Sequence, residues 1–255
     1  MDNVDRLGTH LTGVLCQLSE SLEAAGLPFA VVGAAALLLH NVHLERATRD
    51  LDLAVSIAGG FGAIRPVLHG AGLSDTRIEH RFQTPDGDEI DVLPIDQGGK
   101  PPHEIQLAGG DRIRTVGLAE AITHAIPVDI GPRRVPVAPL SLLVANKLYA
   151  AASQIRPHDL EDACNAMETY EYEGTRRFDV DYDRHPQLTY ETAGAFLAGF
   201  DSAAMMSIEA SQLVDAATES LGRNPRLGDR YDRGEERLAF VLAFRRGLRA
   251  GNQGR

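Results

Sequence analysis

The chain has 255 residues, 44% of them hydrophobic and 24% charged, with a formal net charge of −11. That balance belongs to a folded globular protein and excludes a disordered chain, while the acidic charge counts against broad, nonspecific nucleic-acid binding. The longest apolar run, residues 29–39, is too short to span a bilayer, and Met1 to Asp5 carry no basic secretion start; a cytoplasmic protein with no membrane partner is expected.

Taken in chain order, residues 4–25 place Leu7, Leu11, Val14, Leu15, Leu18 and Leu22 at helical spacing, and Gly26 follows as a stop. Residues 29–32 read as a buried strand that runs straight into Gly33, and residues 34–40 as a helix. Residues 51–55 form a second expected strand, and the turn at Gly59 and Gly60 leads into a helix ending near Gly70. Residues 77–84 and 89–94 are expected strands joined by Pro85-Asp86-Gly87-Asp88, with shorter strands at 112–116 and 134–137. After Pro139 the pattern turns helical, over residues 141–155, 157–170, 190–200, 207–221 and 235–249. The chain thus divides into residues 1–139 and residues 140–255. Asp179, Asp181 and Asp183 have the spacing of a calcium loop, but Arg184 and Tyr190 stand where Gly and Glu are needed, so the segment reads as an acidic linker.

Asp50 and Asp52 point to one face of their strand, because side chains alternate, while Leu51, Leu53 and Val55 point to the other. Asp91 stands in the same relation to Ile90 and Val92. If these strands are neighbours, three carboxylates converge. Their repulsion calls for a hard divalent cation, Mg²⁺ or Mn²⁺, which suits all-oxygen ligands and activates oxygen in phosphoryl chemistry. Gly33 permits close backbone approach, and the helix start after it favours phosphate.

Of 25 basic residues only Lys100 and Lys147 are lysines. Lys147 interrupts an apolar helical segment, where it either reaches a phosphate oxygen or snorkels to the surface. Residues 223–255 hold nine arginines against four acids; a solvated helix face and an RNA or nucleotide contact account for that equally well. Arg46 and Arg49 are equally balanced between solvent and phosphate. Cys16 and Cys164 lack metal-ligand spacing and read as buried reduced thiols, and the nine histidines, which show no zinc spacing, as structural or surface residues.

Val32-Gly33-Ala34-Ala35-Ala36-Leu37, followed by Arg46-Ala47-Thr48-Arg49-Asp50-Leu51-Asp52, resembles the first motif of the nucleotidyltransferase superfamily with a polymerase-β-like core. The Arg-x-Thr-x-Asp-x-Asp form is most similar to the AbiEii-type toxin branch, which includes the MenT toxins. Lys147, Arg156 and His158-Asp159-Leu160-Glu161-Asp162 resemble that branch's later motifs. The resemblance covers residues 28–165 and implies an α+β fold. Its nucleotidyltransferase core would have a mixed β-sheet flanked by helices, and a helical C-terminal part would complete the nucleotide site. Gly33 and Ala34 would contact the triphosphate; Ala34 stands where many members have Ser, so its contact would come from the backbone. Thr48 would match the hydroxyl residue two before the first metal-binding Asp. Asp50, Asp52 and Asp91 would bind Mg²⁺ or Mn²⁺, with Asp91 as base or ligand. Lys147 would meet the nucleotide phosphates, and Asp159 would be the downstream acid, with Asp162 on its helical face. The implied reaction moves a nucleoside monophosphate from an NTP to an RNA acceptor, a tRNA 3′ end, as the toxin of a toxin–antitoxin pair with an antitoxin partner. A small-molecule acceptor, as in antibiotic adenylyltransferases, or a non-catalytic nucleotide-binding regulator are the alternatives. Residues 170–255 are where acceptor recognition is expected.

Overall fold

Four consecutive apolar residues, Phe29–Val32, form strand β1, and all four are buried. The computed structural model describes residues 7–44, 48, 50–96, 103–110, 112–154, 157–223 and 233–254. The expectations on Arg46, Arg49 and Arg156, and on Arg226, Arg230 and Arg255 of the basic tail, lie outside the described residues. Two compact units divide the chain, Met1–Pro139 and Leu140–Arg255.

In the first unit β1 sits inside a mixed seven-stranded sheet. The other strands are β2 (Asp50–Ser56), β3 (Ser74–Asp75), β4 (Arg81–Gln83), β5 (Glu89–Ile95), β8 (Ile126–Ile130) and β9 (Arg133–Val137), in the order β3-β4-β5-β2-β1-β9-β8. A separate hairpin joins β6 (Glu104–Gln106) to β7 (Arg112–Arg114). β2 runs antiparallel to β1 and parallel to β5. Leu51, Leu53 and Val55 on β2 and Ile90 and Val92 on β5 are fully buried on one sheet face. Each contributes roughly 1.5–3 kcal/mol by leaving water, and together they hold the two strands in register. Helix α1 (Thr9–Ala24) buries Leu11, Leu15, Leu18 and Leu22 along one stripe and packs against α3 (Gly60–Gly70), which also meets β5. Helix α2 (Gly33–Leu39) follows β1 without a loop, and the short α4 (Leu118–Thr123) packs on β2, β1 and β9.

Several local expectations need correction. The strand expected over residues 77–84 shrinks to β4, because the Thr76 hydroxyl donates to the Ile78 and Arg81 carbonyls and holds a turn before it. No element is expected from the sequence where β3, β6, β8 and α4 form. β8 is an edge strand in which Ile126, Val128 and Ile130 do alternate, but the run is only five residues long, Pro127 interrupts it, and most of its side chains are exposed or half-exposed. Cys164 is buried, its thiol pushed up to about 12 by burial, but Cys16 is only partly buried.

The second unit contains α5 (Leu140–Gln154), α6 (Pro157–Thr169), α7 (Tyr190–Met205), α8 (Ile208–Gly222) and α9 (Gly234–Gln253). Helices α7 and α9 touch backbone to backbone, and glycine makes that approach feasible. A Cβ on Gly247 would lie 1.8 Å from the Phe196 carbonyl oxygen, and one on Gly199 would lie 2.0 Å from that of Phe244. The segment before α7 is folded around Arg177, which is 1% exposed. Its guanidinium donates to the carbonyls of Glu168 and Tyr170 at the end of α6 and lies over the rings of Tyr172 and Tyr190. This side chain supplies partners for helix-end carbonyls that have none within the helix. No helix among the described residues is long and apolar enough to cross a membrane.

Candidate active site

The carboxylates are placed by strand register. Asp52 on β2 is the Cα partner of Asp91 on β5, and Asp50 is the partner of Glu89. Asp52 is also the partner of Val32, the last residue of β1, and Asp91 is the partner of Arg81 on β4. Directly paired residues project to the same sheet face, so Arg81, Asp91 and Asp52 form a transverse row, with Glu89 and Asp50 in the next row. Asp50 and Asp52 are half-buried, whereas Asp91 is 8% exposed.

Gly33 ends the row on the β1 side. Its φ is +65°, and a Cβ there would lie 1.9 Å from Oδ2 of Asp52. The absent side chain is therefore the space into which the Asp52 carboxylate fits, in a backbone conformation that other residues adopt only with strain. Ala34, the first residue after it, is 5% exposed. Thr48, two residues before Asp50, has a buried Oγ1 with no hydrogen-bond partner among the described residues.

Asp91 is gripped on both of its carboxylate oxygens. Nε of Arg81 donates to its Oδ1 at 2.8 Å and Nη2 donates to its Oδ2 at 2.9 Å, while Nη1 donates to Oε2 of Glu89 at 2.5 Å. Nε2 of His80 lies 3.7 Å from Oδ2 of Asp91. The Arg81 guanidinium is held above its ordinary pKa, chiefly by the hydrogen bond to Asp91, with burial opposing and the nearby charges of Asp91, Glu89 and Asp50 adding to it.

Hard oxygen donors suit a divalent cation such as Mg²⁺, and the cradle at Gly33 orients one of them. Among the described residues no three His, Cys, Asp or Glu side chains converge closely enough to hold an ion by themselves.

In the second unit, Lys147 does not snorkel. It is 7% exposed, and Nζ lies 2.8 Å from Oδ2 of Asp162 and 3.1 Å from Oδ1 of Asp159. The two acids are three residues apart on α6 and so share the face turned to α5. Burial alone would lower the ammonium's pKa, but the charges of Asp159 and Asp162 outweigh it and hold Lys147 above its ordinary value.

Among the described residues, most arginines of the tail pair with acids of their own unit. Arg233 pairs with Glu236, Arg237 with Glu161 at 3.2 Å, and Arg245 and Arg249 with Asp215 at 2.9 and 2.7 Å. Arg223 pairs with Glu219.

Sequence reasoning missed Arg81, Glu89 and His80. Arg81 and Glu89 alternate with apolar neighbours, and that was the available signal, but only the register of β4 on β5 brings them to Asp91. His80, grouped with the structural histidines, lies beside the carboxylate row.

The family described as "Nucleotidyl transferase AbiEii toxin, Type IV TA system" matches residues 14–230. No curated protein matches the chain. Among solved structures it is similar to the antibiotic-resistance factor ANT(2")-Ia in complex with adenylyl-2"-tobramycin, at 13% identity and a TM-score of 0.44 over 67% of this chain and 93% of that one. It is also similar to an antigenic nucleotidyltransferase-like protein from Paracoccidioides brasiliensis, at 17% identity and a TM-score of 0.43 over 64% and 76%. A third is the lincomycin-bound lincosamide antibiotic adenylyltransferase LnuA, at 14% identity and a TM-score of 0.41 over 60% and 94%. With the family's description extending over most of its length, the chain belongs to the AbiEii family of toxin nucleotidyltransferases and is itself a nucleotidyltransferase.

Proposed function

We propose that the protein transfers a nucleoside monophosphate from an NTP to an acceptor hydroxyl with a divalent metal bound at Asp50 and Asp52, and that the acceptor is RNA, a tRNA 3′ end. The observation that carries the reading is the register of Asp52 against Asp91, with Gly33 leaving room for the Asp52 carboxylate. Mg²⁺ or Mn²⁺, when bound, would neutralise phosphate charge, activate the attacking acceptor oxygen and stabilise the pyrophosphate that leaves as the α–β bond breaks. Asp50 and Asp52 hold that ion. Asp91 serves as further ligand or as base for the acceptor hydroxyl. The backbone at Gly33 and Ala34 and the Thr48 hydroxyl, which has no other partner among the described residues, meet the triphosphate. Lys147, its ammonium held by Asp159 and Asp162, is the residue we assign to the nucleotide phosphates. Asp159 then acts by fixing Lys147.

The family's description supports a toxin role with an antitoxin partner. One observation favours a second reading, transfer to a small hydroxylated molecule. Arg233, Arg237, Arg245 and Arg249 are paired within the second unit, so these residues of the tail form no free basic strip for an RNA backbone. Exposed aromatic rings are present instead, with Tyr172 64% and Phe178 70% exposed, and they can stack on a flat acceptor of either kind. Incubation with each labelled NTP, Mg²⁺, total RNA and a small-molecule extract separates the readings. Label in RNA supports the first, label in the extract supports the second, and no transfer with any NTP contradicts both.

A further inference from the structure

The register that aligns Asp52 with Asp91 also places a permanent cation beside Asp91, and its hydrogen bonding is divided between two acids. Arg81 grips both oxygens of Asp91 through Nε and Nη2 while its remaining nitrogen, Nη1, is bonded to Glu89. Asp91 is 12% exposed at its side chain, Arg81 24% and Glu89 49%. A carboxylate as buried as Asp91 needs a partner to remain charged, and a fork-on-fork arginine is among the strongest available. The same grip occupies one lone pair on each Asp91 oxygen and sets a positive charge against any cation or proton approaching them. Glu89 offers Arg81 a second acceptor that is nearer to solvent and two residues away on the same strand face.

We propose that Arg81 is the resident counter-ion of the carboxylate row, exchanging its grip on Asp91 for Glu89 alone when a divalent cation enters. The inference rests on the reading of Asp50, Asp52 and Asp91 as the metal site. Arg81 is then a positioning residue: it keeps four acids together in the empty protein and opposes the incoming ion by its own charge. Glu89 lowers that opposition by receiving Arg81 when it lets go. Arg81 thereby sets the metal affinity low enough for the ion to arrive with its nucleotide, whose phosphates supply the missing ligands.

The probe is Mn²⁺ without nucleotide, followed by electron paramagnetic resonance of the free ion on wild type, Arg81→Met, Arg81→Lys, Glu89→Gln and Asp52→Asn. Removing a positive charge beside the site should tighten Mn²⁺ binding by at least about tenfold in Arg81→Met, a lower bound for one charge a few ångströms from a divalent ion even when screened as in water. The same variant should melt at a lower temperature without metal and gain more from Mn²⁺ than wild type does. Glu89→Gln, which removes the second acceptor, should bind Mn²⁺ more weakly. If Arg81→Met does not fold, Arg81→Lys, which keeps the charge and loses the fork, should bind Mn²⁺ more tightly than wild type, and Glu89→Gln more weakly. Wild type that binds Mn²⁺ in a manner Asp52→Asn abolishes, with unchanged or weaker binding in the Arg81 variants, would overturn the exchange while leaving the metal site standing. Wild type with no saturable binding that Asp52→Asn removes would overturn the metal site itself.

Discussion

The ammonium of Lys147 and the carboxylate of Asp162 meet at 2.8 Å in the interior of the second unit, with 9% and 5% of their side chains exposed. A buried pair of this kind stabilises less than its contact distance suggests, yet breaking it is costly because the survivor keeps an uncompensated charge. Lys147→Ala should therefore destabilise the protein by about 3–5 kcal/mol. Asp162→Asn should act in the same direction, and the double variant should cost less than the sum of the two. Urea unfolding measures all three. A cost near that of an exposed pair, below about 1 kcal/mol, would contradict the placement of Lys147.

The pH dependence of that pair has a defined sign. Lys147 has a folded pKa above its ordinary value of 10.5, so its stabilising contribution is fully present below about pH 10.5 and is lost as pH rises through the folded value. Stability difference between wild type and Lys147→Met should accordingly be flat from pH 6 to 9, within about 0.5 kcal/mol, and shrink only in strongly alkaline solution. Thermal unfolding across that range checks it, and a difference that collapses near neutrality would be inconsistent with a charged, paired Lys147.

Gly33→Ala puts a methyl 1.9 Å from Oδ2 of Asp52 at a φ of +65°. The backbone strain alone is worth about 1–2 kcal/mol, and the carboxylate must also shift. Transfer activity should fall by far more than stability does, at least about a hundredfold, since misplacing a reacting-site group by 1 Å costs that much. Turnover and melting temperature measured together make the comparison; a variant with wild-type turnover would remove Gly33 from the site.

In the second unit, Gly247→Ala would drive a methyl to within 1.8 Å of the Phe196 carbonyl oxygen. Backbone cannot yield as a side-chain tip can, so α7 and α9 must separate, at a cost of about 1–3 kcal/mol. Gly254→Ala meets nothing closer than 3.9 Å and should leave stability unchanged. Equal melting temperatures for the two variants would contradict the close approach of these helices.

The parts of this architecture that could be read directly are those whose signal is local. Asp50 and Asp52 alternate with Leu51 and Leu53, Gly33 ends an apolar strand, and Lys147 stands out as one of only two lysines. What escaped depends on long-range register or on contacts between helices. Nothing near Arg81 in the chain shows that β4 will pair with β5 and set Arg81 directly opposite Asp91. Asp159 and Asp162 have the spacing of a helix face, but only the packing of α6 on α5 turns that face toward Lys147. Gly199 and Gly247 look like weak points within helices until the backbone of the partner helix is seen against them. Edge strand β8 carries Ile126, Val128 and Ile130 in alternation, but over five residues with Pro127 among them the signal is too short to stand out.

Transfer of label from an α-labelled NTP in the presence of Mg²⁺ and total RNA, compared between wild type and Asp52→Asn, tests the central claim most directly. The substitution keeps the shape of the side chain in the Gly33 cradle and removes only its charge, so the fold should persist, as circular dichroism and melting can verify. The account predicts that wild type labels its acceptor and that Asp52→Asn loses at least about a thousandfold, since metal stabilisation of transition-state charge is worth several kcal/mol. A folded Asp52→Asn protein that transfers label at the wild-type rate would contradict it.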